Sequence, residues 1–168
     1  MDTRPLLEVR RVSKQFDVGG LFGKKKLQAL DDVSFTVERG QVVALVGESG
    51  SGKTTLGRVS LRLVKPTAGR VVYDGHDITK VDEQALHWFR QRAQIVFQDP
   101  FSSLNPYMRV RDLIEEPLVI DGVPGSERWP RIARALESVE LVPVARFAEK
   151  SPTMMSGGQR QRVGIARA

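Results

Sequence analysis

The sequence predicts an α/β fold with a mixed sheet, a phosphate-binding loop and a helical subdomain, and three observations carry that prediction. The apolar run Val42-Val43-Ala44-Leu45-Val46 leads into Gly47-Glu48-Ser49-Gly50-Ser51-Gly52-Lys53-Thr54, which fits the pattern G-x-x-x-x-G-K-[ST] at every specified position. Residues 29–38 alternate, with Val33, Phe35 and Val37 against polar neighbours, as in a half-buried antiparallel strand. Beyond residue 101 the composition shifts to amphipathic stretches ending in a Ser-Gly-Gly-Gln turn, which reads as helices added to an α/β core.

The elements follow in chain order. Leu6 to Phe16 is a first strand, with Leu7, Val9 and Val12 apolar among charged neighbours. Residues 17–26 hold Gly19, Gly20 and Gly23 and are read as a loop that also carries Lys24, Lys25 and Lys26. After the turn Arg39-Gly40, Val42 to Val46 is predicted as a strand buried on both faces. Leu56, Val59 and Leu63 have helical spacing, so a helix is predicted from Thr55 to Leu63, stopped by Pro66-Thr67-Ala68-Gly69. Arg70 to Tyr73 is a short strand, Asp82 to Arg92 a helix with Asp82 as N-cap, and Gln94 to Phe97 another short strand. Phe101 to Pro106 is a turn-rich connector, Val110 to Ile120 and Glu127 to Val139 are helices, and Ser156 caps a last helix. The organisation is an α/β core with an antiparallel part and the phosphate loop over residues 1–100, a helical subdomain over 101–155 and the Ser-Gly-Gly-Gln segment with the start of a last helix over 156–168.

Composition narrows the class. The chain has 168 residues, 40% hydrophobic and 27% charged, which fits a globular fold. It has no cysteine, which excludes disulfides and thiolate metal sites. No apolar run approaches membrane-spanning length. The formal net charge of +6 is scattered without interleaved aromatic residues, which reads as a solvated basic surface rather than a nucleic-acid face. His76 and His87 are assigned to the surface, and Trp88 and Phe89 to packing.

The chemistry of the glycine loop is direct. Gly47, Gly50 and Gly52 let backbone N–H groups wrap around phosphate oxygens. The loop opens onto a helix start, whose orphan N–H groups and dipole favour an anion. Lys53 adds a point charge, and the Thr54 hydroxyl is a ligand suited to Mg2+.

Taken together, Gly47–Thr54, Gln98 after a short strand, and Ser156-Gly157-Gly158-Gln159 resemble the ATP-binding subunits of ABC transporters, over nearly the whole chain. The stretch Phe97-Gln98-Asp99-Pro100-Phe101-Ser102-Ser103-Leu104-Asn105-Pro106 and the Leu21-Phe22-Gly23 loop look like the oligopeptide and dipeptide importer branch, a pattern shared with nickel and glutathione importers. The resemblance implies a P-loop NTPase fold of the ABC nucleotide-binding type that uses ATP and Mg2+. It implies that Gly47, Glu48, Ser49, Gly50, Ser51, Gly52, Lys53, Thr54 and Thr55 bind the phosphates, with Lys53 and Gln98 catalytic and Thr54 and Gln98 at the metal. Phe16 falls where the family has an adenine-stacking aromatic, and packing on the core is its competing reading. Met155 stands where leucine is commoner, an apolar swap of similar volume.

In the family two subunits face each other head to tail, so Ser156, Gly157, Gly158 and Gln159 of one complete the ATP site of the other. The implied partners are a second ATP-binding subunit, permease subunits and, indirectly, a substrate-binding protein, with no nucleic acid; the implied place is the cytoplasmic face of a membrane, peripherally bound. The connector residues Phe101, Leu104, Tyr107 and Met108 are the candidate permease contact. The family's next segment, an apolar strand ending in Asp-Glu followed by a switch histidine, would lie beyond Ala168. The chain is therefore read as C-terminally incomplete, with an open sheet edge and negligible hydrolysis on its own. Two alternatives stand beside the importer: a soluble ABC-type ATPase acting on DNA, and a nucleotide-binding remnant that does not hydrolyse.

Overall fold

The computed structural model describes residues 4–19, 25–99 and 103–168, which fall into two compact units, Met1–Ala93 and Gln94–Ala168. The first unit is built on a four-stranded antiparallel sheet of order β2-β1-β3-β4. Its strands are β1 (Leu7–Val18), β2 (Lys25–Val37), β3 (Ala68–Tyr73) and β4 (His76–Asp77). Both long strands extend further than expected, because they pair beyond the apolar residues: Phe16 faces Leu27, Asp17 faces Lys26 and Val18 faces Lys25. Lys25 and Lys26 therefore belong to a strand and not to the loop; Leu21, Phe22, Gly23 and Lys24 lie outside the described residues.

Register shifts between Val9 and Val12 make β1 bulge, with Arg11 and Asp32 at φ 50° and 48°. Side chains take over the interrupted ladder there. Ser34 Oγ accepts from the Arg11 N–H at 2.8 Å, and Ser13 Oγ accepts from the Asp32 N–H at 3.0 Å. Gly69 of β3 lies against the bulge at φ +86°.

Helix α1 (Lys53–Ser60) turns Leu56 and Val59 into a core with Val9, Val12, Leu30, Val71, Ile78, Leu86 and Phe89. It stops three residues before Leu63, since Arg62 adopts φ 54° and the chain turns away. Leu63 is consequently 46% exposed. Two arginines secure this end: Arg62 donates to the carbonyls of Ile78 and Val81, and Arg90 to those of Leu61 and Arg62. Burial pulls the Arg62 guanidinium below its usual value; Glu83 opposes that shift and Arg90 adds to it.

Two predicted strands do not form. Residues 41–48 and 94–97 carry no ladder, and Val42 and Val46 are 94% and 95% exposed. A strand exists by hydrogen bonding to a neighbour, and the described residues supply no partner for either run. The predicted helix 82–92 is shorter too. A 3-10 turn, Gln84–Leu86, precedes α2 (His87–Arg90), with no side-chain cap from Asp82. Trp88 and Phe89 pack with Tyr73, at ring centroid distances of 5.9 and 4.9 Å, and His76 and His87 are exposed as expected.

The second unit is helical. Helices α3 (Val110–Ile120) and α4 (Gly125–Ser138) are joined by α5 (Val144–Ala148), a 3-10 turn (Pro152–Met154) and α6 (Gly157–Arg167). Val110, Leu113, Ile114, Ile132, Leu136, Leu141, Met155 and Val163 form their common core. Leu104 is 4% exposed within this core, so its side chain is spent on packing and is not available as a permease contact. Tyr107 is 93% exposed, Met108 is half-buried, and Phe101 lies outside the described residues.

The bulge yields a stability test. A Cβ on Gly69 would stand 2.2 Å from the Arg11 carbonyl oxygen and 2.6 Å from the Val12 Cα, both backbone atoms. Gly69→Ala is expected to cost roughly 3 kcal/mol, read as a lowered denaturation midpoint.

Candidate functional site

The glycine loop folds around its own lysine. Lys53, the first residue of α1, donates from Nζ to the Gly47 carbonyl at 2.7 Å, to the Glu48 carbonyl, and to Ser51 Oγ at 3.1 Å. The Ser51 N–H closes the turn onto the Glu48 carbonyl at 3.2 Å. An ammonium with three donors is thereby held inside the bend. Glycine is needed here for space as well as for backbone freedom. A Cβ on Gly47 would meet Ser51 Oγ at 2.9 Å. On Gly52, at φ +91°, it would meet the Ala29 carbonyl oxygen at 2.6 Å and Leu30 Cδ2 at 3.1 Å. The start of α1 is thus seated directly against β2, and Ser49 and Gly50 form the exposed rim of the loop.

Helix α1 carries no acidic residue in its first turn and no side-chain cap. Its opening N–H groups, from Lys53, Thr54 and Thr55, have no helical acceptor by construction. The Thr54 side chain is exposed beside them. A ring of backbone donors, one ammonium and one hydroxyl at a helix start suits a phosphate chain carrying a hard cation.

Phe16 is 36% exposed and not part of the core, which removes its competing reading as a core residue. Lys14 Nζ lies 4.8 Å from its ring centroid, a contact that sequence reading missed. Alternation along β1 puts Lys14 and Phe16 on one face, which is the signal that would have found it.

In the second unit, Ser156 caps α6 with a reciprocal capping box. Ser156 Oγ accepts from the Gln159 N–H at 3.3 Å, and Gln159 Oε1 accepts from the Ser156 N–H at 3.1 Å. Gln159 is therefore engaged with its own helix start. Gly157 and Gly158 are exposed, and a Cβ at either would meet nothing within 4 Å. Arg160, also missed from sequence, is only 9% exposed beside them. Gln98 stands at an exposed bend of the same unit. The structure thus gathers 47–55 in the first unit and 156–160 in the second.

Residues 30–168 match the family model described as ABC transporter. The chain belongs to the ABC transporter family. Among curated relatives of this ABC chain, a putative peptide import ATP-binding protein of Brucella ovis is 47% identical over all of the chain and 51% of the relative. The dipeptide transport ATP-binding protein DppF of Haemophilus influenzae is 43% identical over 99% of the chain and 51% of its own length. This ABC chain spans about half the length of the curated relatives it matches. Among solved structures, a dimeric ATP-binding cassette in a post-hydrolysis state with ADP and Pi superposes with TM-score 0.81 at 34% identity, covering 96% of this chain and 68% of that one. The cassette cbiO1 of Clostridium perfringens superposes with TM-score 0.75 at 27% identity, over 97% of this chain and 60% of that one. Among the described residues no helix is long and apolar enough to cross a membrane.

The two glycine sites make opposite predictions. Gly157 and Gly158 face open space, so alanine at either leaves stability unchanged or raises it, by less than about 1 kcal/mol. Gly52→Ala, by contrast, drives a Cβ into the backbone of β2 and lowers the melting temperature.

Proposed function

We propose that this ABC chain is the ATP-binding part of a peptide-importer subunit, in which ATP binding and hydrolysis by a head-to-tail pair drive transport. The observation that carries the reading is the Lys53 ammonium held at the centre of a glycine loop that opens onto α1. A triphosphate supplies oxygens that compete with the Gly47 and Glu48 carbonyls for that ammonium. The backbone N–H groups of Lys53, Thr54 and Thr55, which have no helical acceptor, take the remaining phosphate oxygens. Thr54 is the side-chain ligand proposed for Mg2+, whose charge serves to neutralise the phosphates.

Phe16 is proposed as the base platform. It pairs with Leu27, two residues before Ala29, where Gly52 abuts β2. That puts the Phe16 backbone two residues along the strand and one strand across from the loop's anchor. Gln98, with both a donor and an acceptor on its amide, is proposed to orient the attacking water and sense the outer phosphate. Ser156 and the N–H groups at Gly157 and Gly158 are proposed to contact the outer phosphate held by a second subunit.

The family resemblance extends to partners: the relatives' names point to peptide import, and the dimeric neighbour to pairing of cassettes. A permease and a peripheral place at a membrane's cytoplasmic face follow as part of the proposal. The DNA-acting alternative receives no support from charge. Arg10, Arg11, Arg39, Arg109, Arg111, Arg128 and Arg167 each pair with an Asp or Glu, so the basic surplus is broken up rather than gathered into a stripe.

The test is Lys53→Ala in the protein expressed from its full reading frame. ATP affinity is expected to fall at least about tenfold, the scale of a lost charged hydrogen bond, with turnover at background. Unchanged affinity and turnover would overturn the reading.

A further inference from the structure

The chain on either side of β3 walls in a basic hollow. Lys65, Pro66, Thr67, Gly69, Thr79 and Lys80 line a space of about 370 Å³. An adjoining space of about 440 Å³ shares Gly69, Thr79 and Lys80 and adds Arg70 and Asp77. Both lie in the first unit, and none of these residues belongs to the glycine loop. Both walls are pinned by hydrogen bonds. On one side, the buried Thr79 hydroxyl accepts from the Val71 N–H at 2.8 Å and donates to the Val71 carbonyl at 3.3 Å. The Ile78 N–H donates to that carbonyl at 2.9 Å, and Arg62 donates to the carbonyls of Ile78 and Val81. Lys80 therefore stands exposed on a fixed turn. On the other side, the Thr67 N–H donates to the Ser13 carbonyl at 2.8 Å, and Thr67 Oγ1 accepts from the Gln15 N–H at 3.0 Å. That leaves the Thr67 hydroxyl proton to donate elsewhere. Pro66 stiffens the chain between Thr67 and Lys65.

The charges around the hollow do not cancel. Lys65, Arg70 and Lys80 are exposed, and among the described residues none of the three forms an ion pair. Arg70 also stands directly across the ladder from Arg10, which Glu8 holds at 2.6 Å; like charges so placed are destabilising. Asp77, the carboxylate of the lining, accepts from the Thr79 N–H at 2.9 Å. Burial works to raise it, but hydrogen bonding from Thr79 and the charges of Arg70 and Arg10 outweigh burial and hold the carboxyl below its usual value. Three cations against that one ionised carboxylate leave a surplus of two positive charges. A carboxylate ligand would answer one of them, whereas a phosphate monoester carries about two negative charges at neutral pH. Lysines bind phosphate as point charges, and the space is of a size that takes a small ligand.

We propose that Lys65, Arg70 and Lys80, with the Thr67 hydroxyl, form a binding site for a phosphate group carried by a small soluble molecule or by a lipid headgroup. The walls are set before the anion arrives, so binding costs little rearrangement, and the anion offsets the repulsion among the three cations. The site stands whether or not the glycine loop takes ATP.

The test uses the protein expressed from its full reading frame and carrying Lys53→Ala, which takes the glycine loop's ammonium out of the measurement. One arm is equilibrium dialysis against radiolabelled inorganic phosphate. The other is sedimentation with phosphatidylcholine vesicles, with and without phosphatidic acid. Lys65→Gln and Lys80→Gln are each expected to weaken binding about tenfold, the scale of a lost charged hydrogen bond, with the melting temperature unchanged. Lys25→Gln, which removes an equal charge from an exposed position of β2, is expected to leave binding unchanged. Binding of dissolved phosphate that needs Lys65 and Lys80 supports the site with a soluble ligand. Binding only to vesicles that contain phosphatidic acid, again needing both lysines, supports it with a headgroup. An equal loss in Lys25→Gln would overturn the inference, since charge attraction without a site would account for it. So would binding left unchanged by Lys65→Gln and Lys80→Gln, or no binding in either arm.

Discussion

The close approach of Gly52 to β2 is the constraint on which the first unit depends. With a carbonyl oxygen of Ala29 and a methyl of Leu30 where a side chain would be, nothing larger than glycine lets α1 begin at the sheet edge. That contact fixes where the helix starts, and so where its unpaired N–H groups lie. It also fixes how far the Lys53 side chain travels before it meets the Gly47 and Glu48 carbonyls. The other end of α1 is held as firmly, by Arg62 and Arg90 gripping the carbonyls around it. Pinned at both ends, a helix of two turns carries the loop without relying on its own propensity, which at this length is insufficient.

What the sequence disclosed depended on how local each feature is. The glycine loop, the Ser156 cap and helix α3 were legible because a few adjacent residues determine them: Ser156 and Gln159 build a reciprocal cap from three residues' spacing. The run Val42–Val46 was legible only as a tendency. Its composition suits a strand, yet a strand is a property of two chains of hydrogen bonds, and the second is not among the described residues. The same reason undid residues 94–97. The helix at 55–63 lost its last turn to the positive φ of Arg62, a conformation that side-chain periodicity does not encode. Leu104 read as a surface contact because its neighbours are turn-formers, and only the packing of α3, α4 and α6 reveals it as core.

Electrostatics follow the same division between near and far. A net charge of +6 suggests a basic surface, but the carboxylates are distributed so that most described arginines find one. Glu149, for instance, takes both Arg109 at 2.7 Å and Arg111 at 2.6 Å. Such exposed pairs contribute little to stability; their effect is to break the basic surplus into small patches. Several cations are also held against backbone oxygens, where their charge is directed rather than diffused: Lys53 in its loop, Arg62 and Arg90 at the end of α1, and Arg160 at the Pro152 and Met155 carbonyls.

The two glycine segments differ in a way that bears on how a site could be completed. In the first, Gly50 at φ +85° has nothing within 4 Å, but Gly47 is crowded by Ser51 and Lys53 and Gly52 by β2. Those glycines answer to the chain's own packing, and the loop they form is closed on itself. In the second, Gly157 and Gly158 meet nothing within 4 Å, and alanine would serve a helix better. A residue type that the fold does not require, at an exposed helix start stiffened by a capping box and backed by a buried arginine, is suited to something that approaches from outside. Gly47 and Gly52 are thus required by the fold, whereas Gly157 and Gly158 answer to whatever approaches α6 from outside.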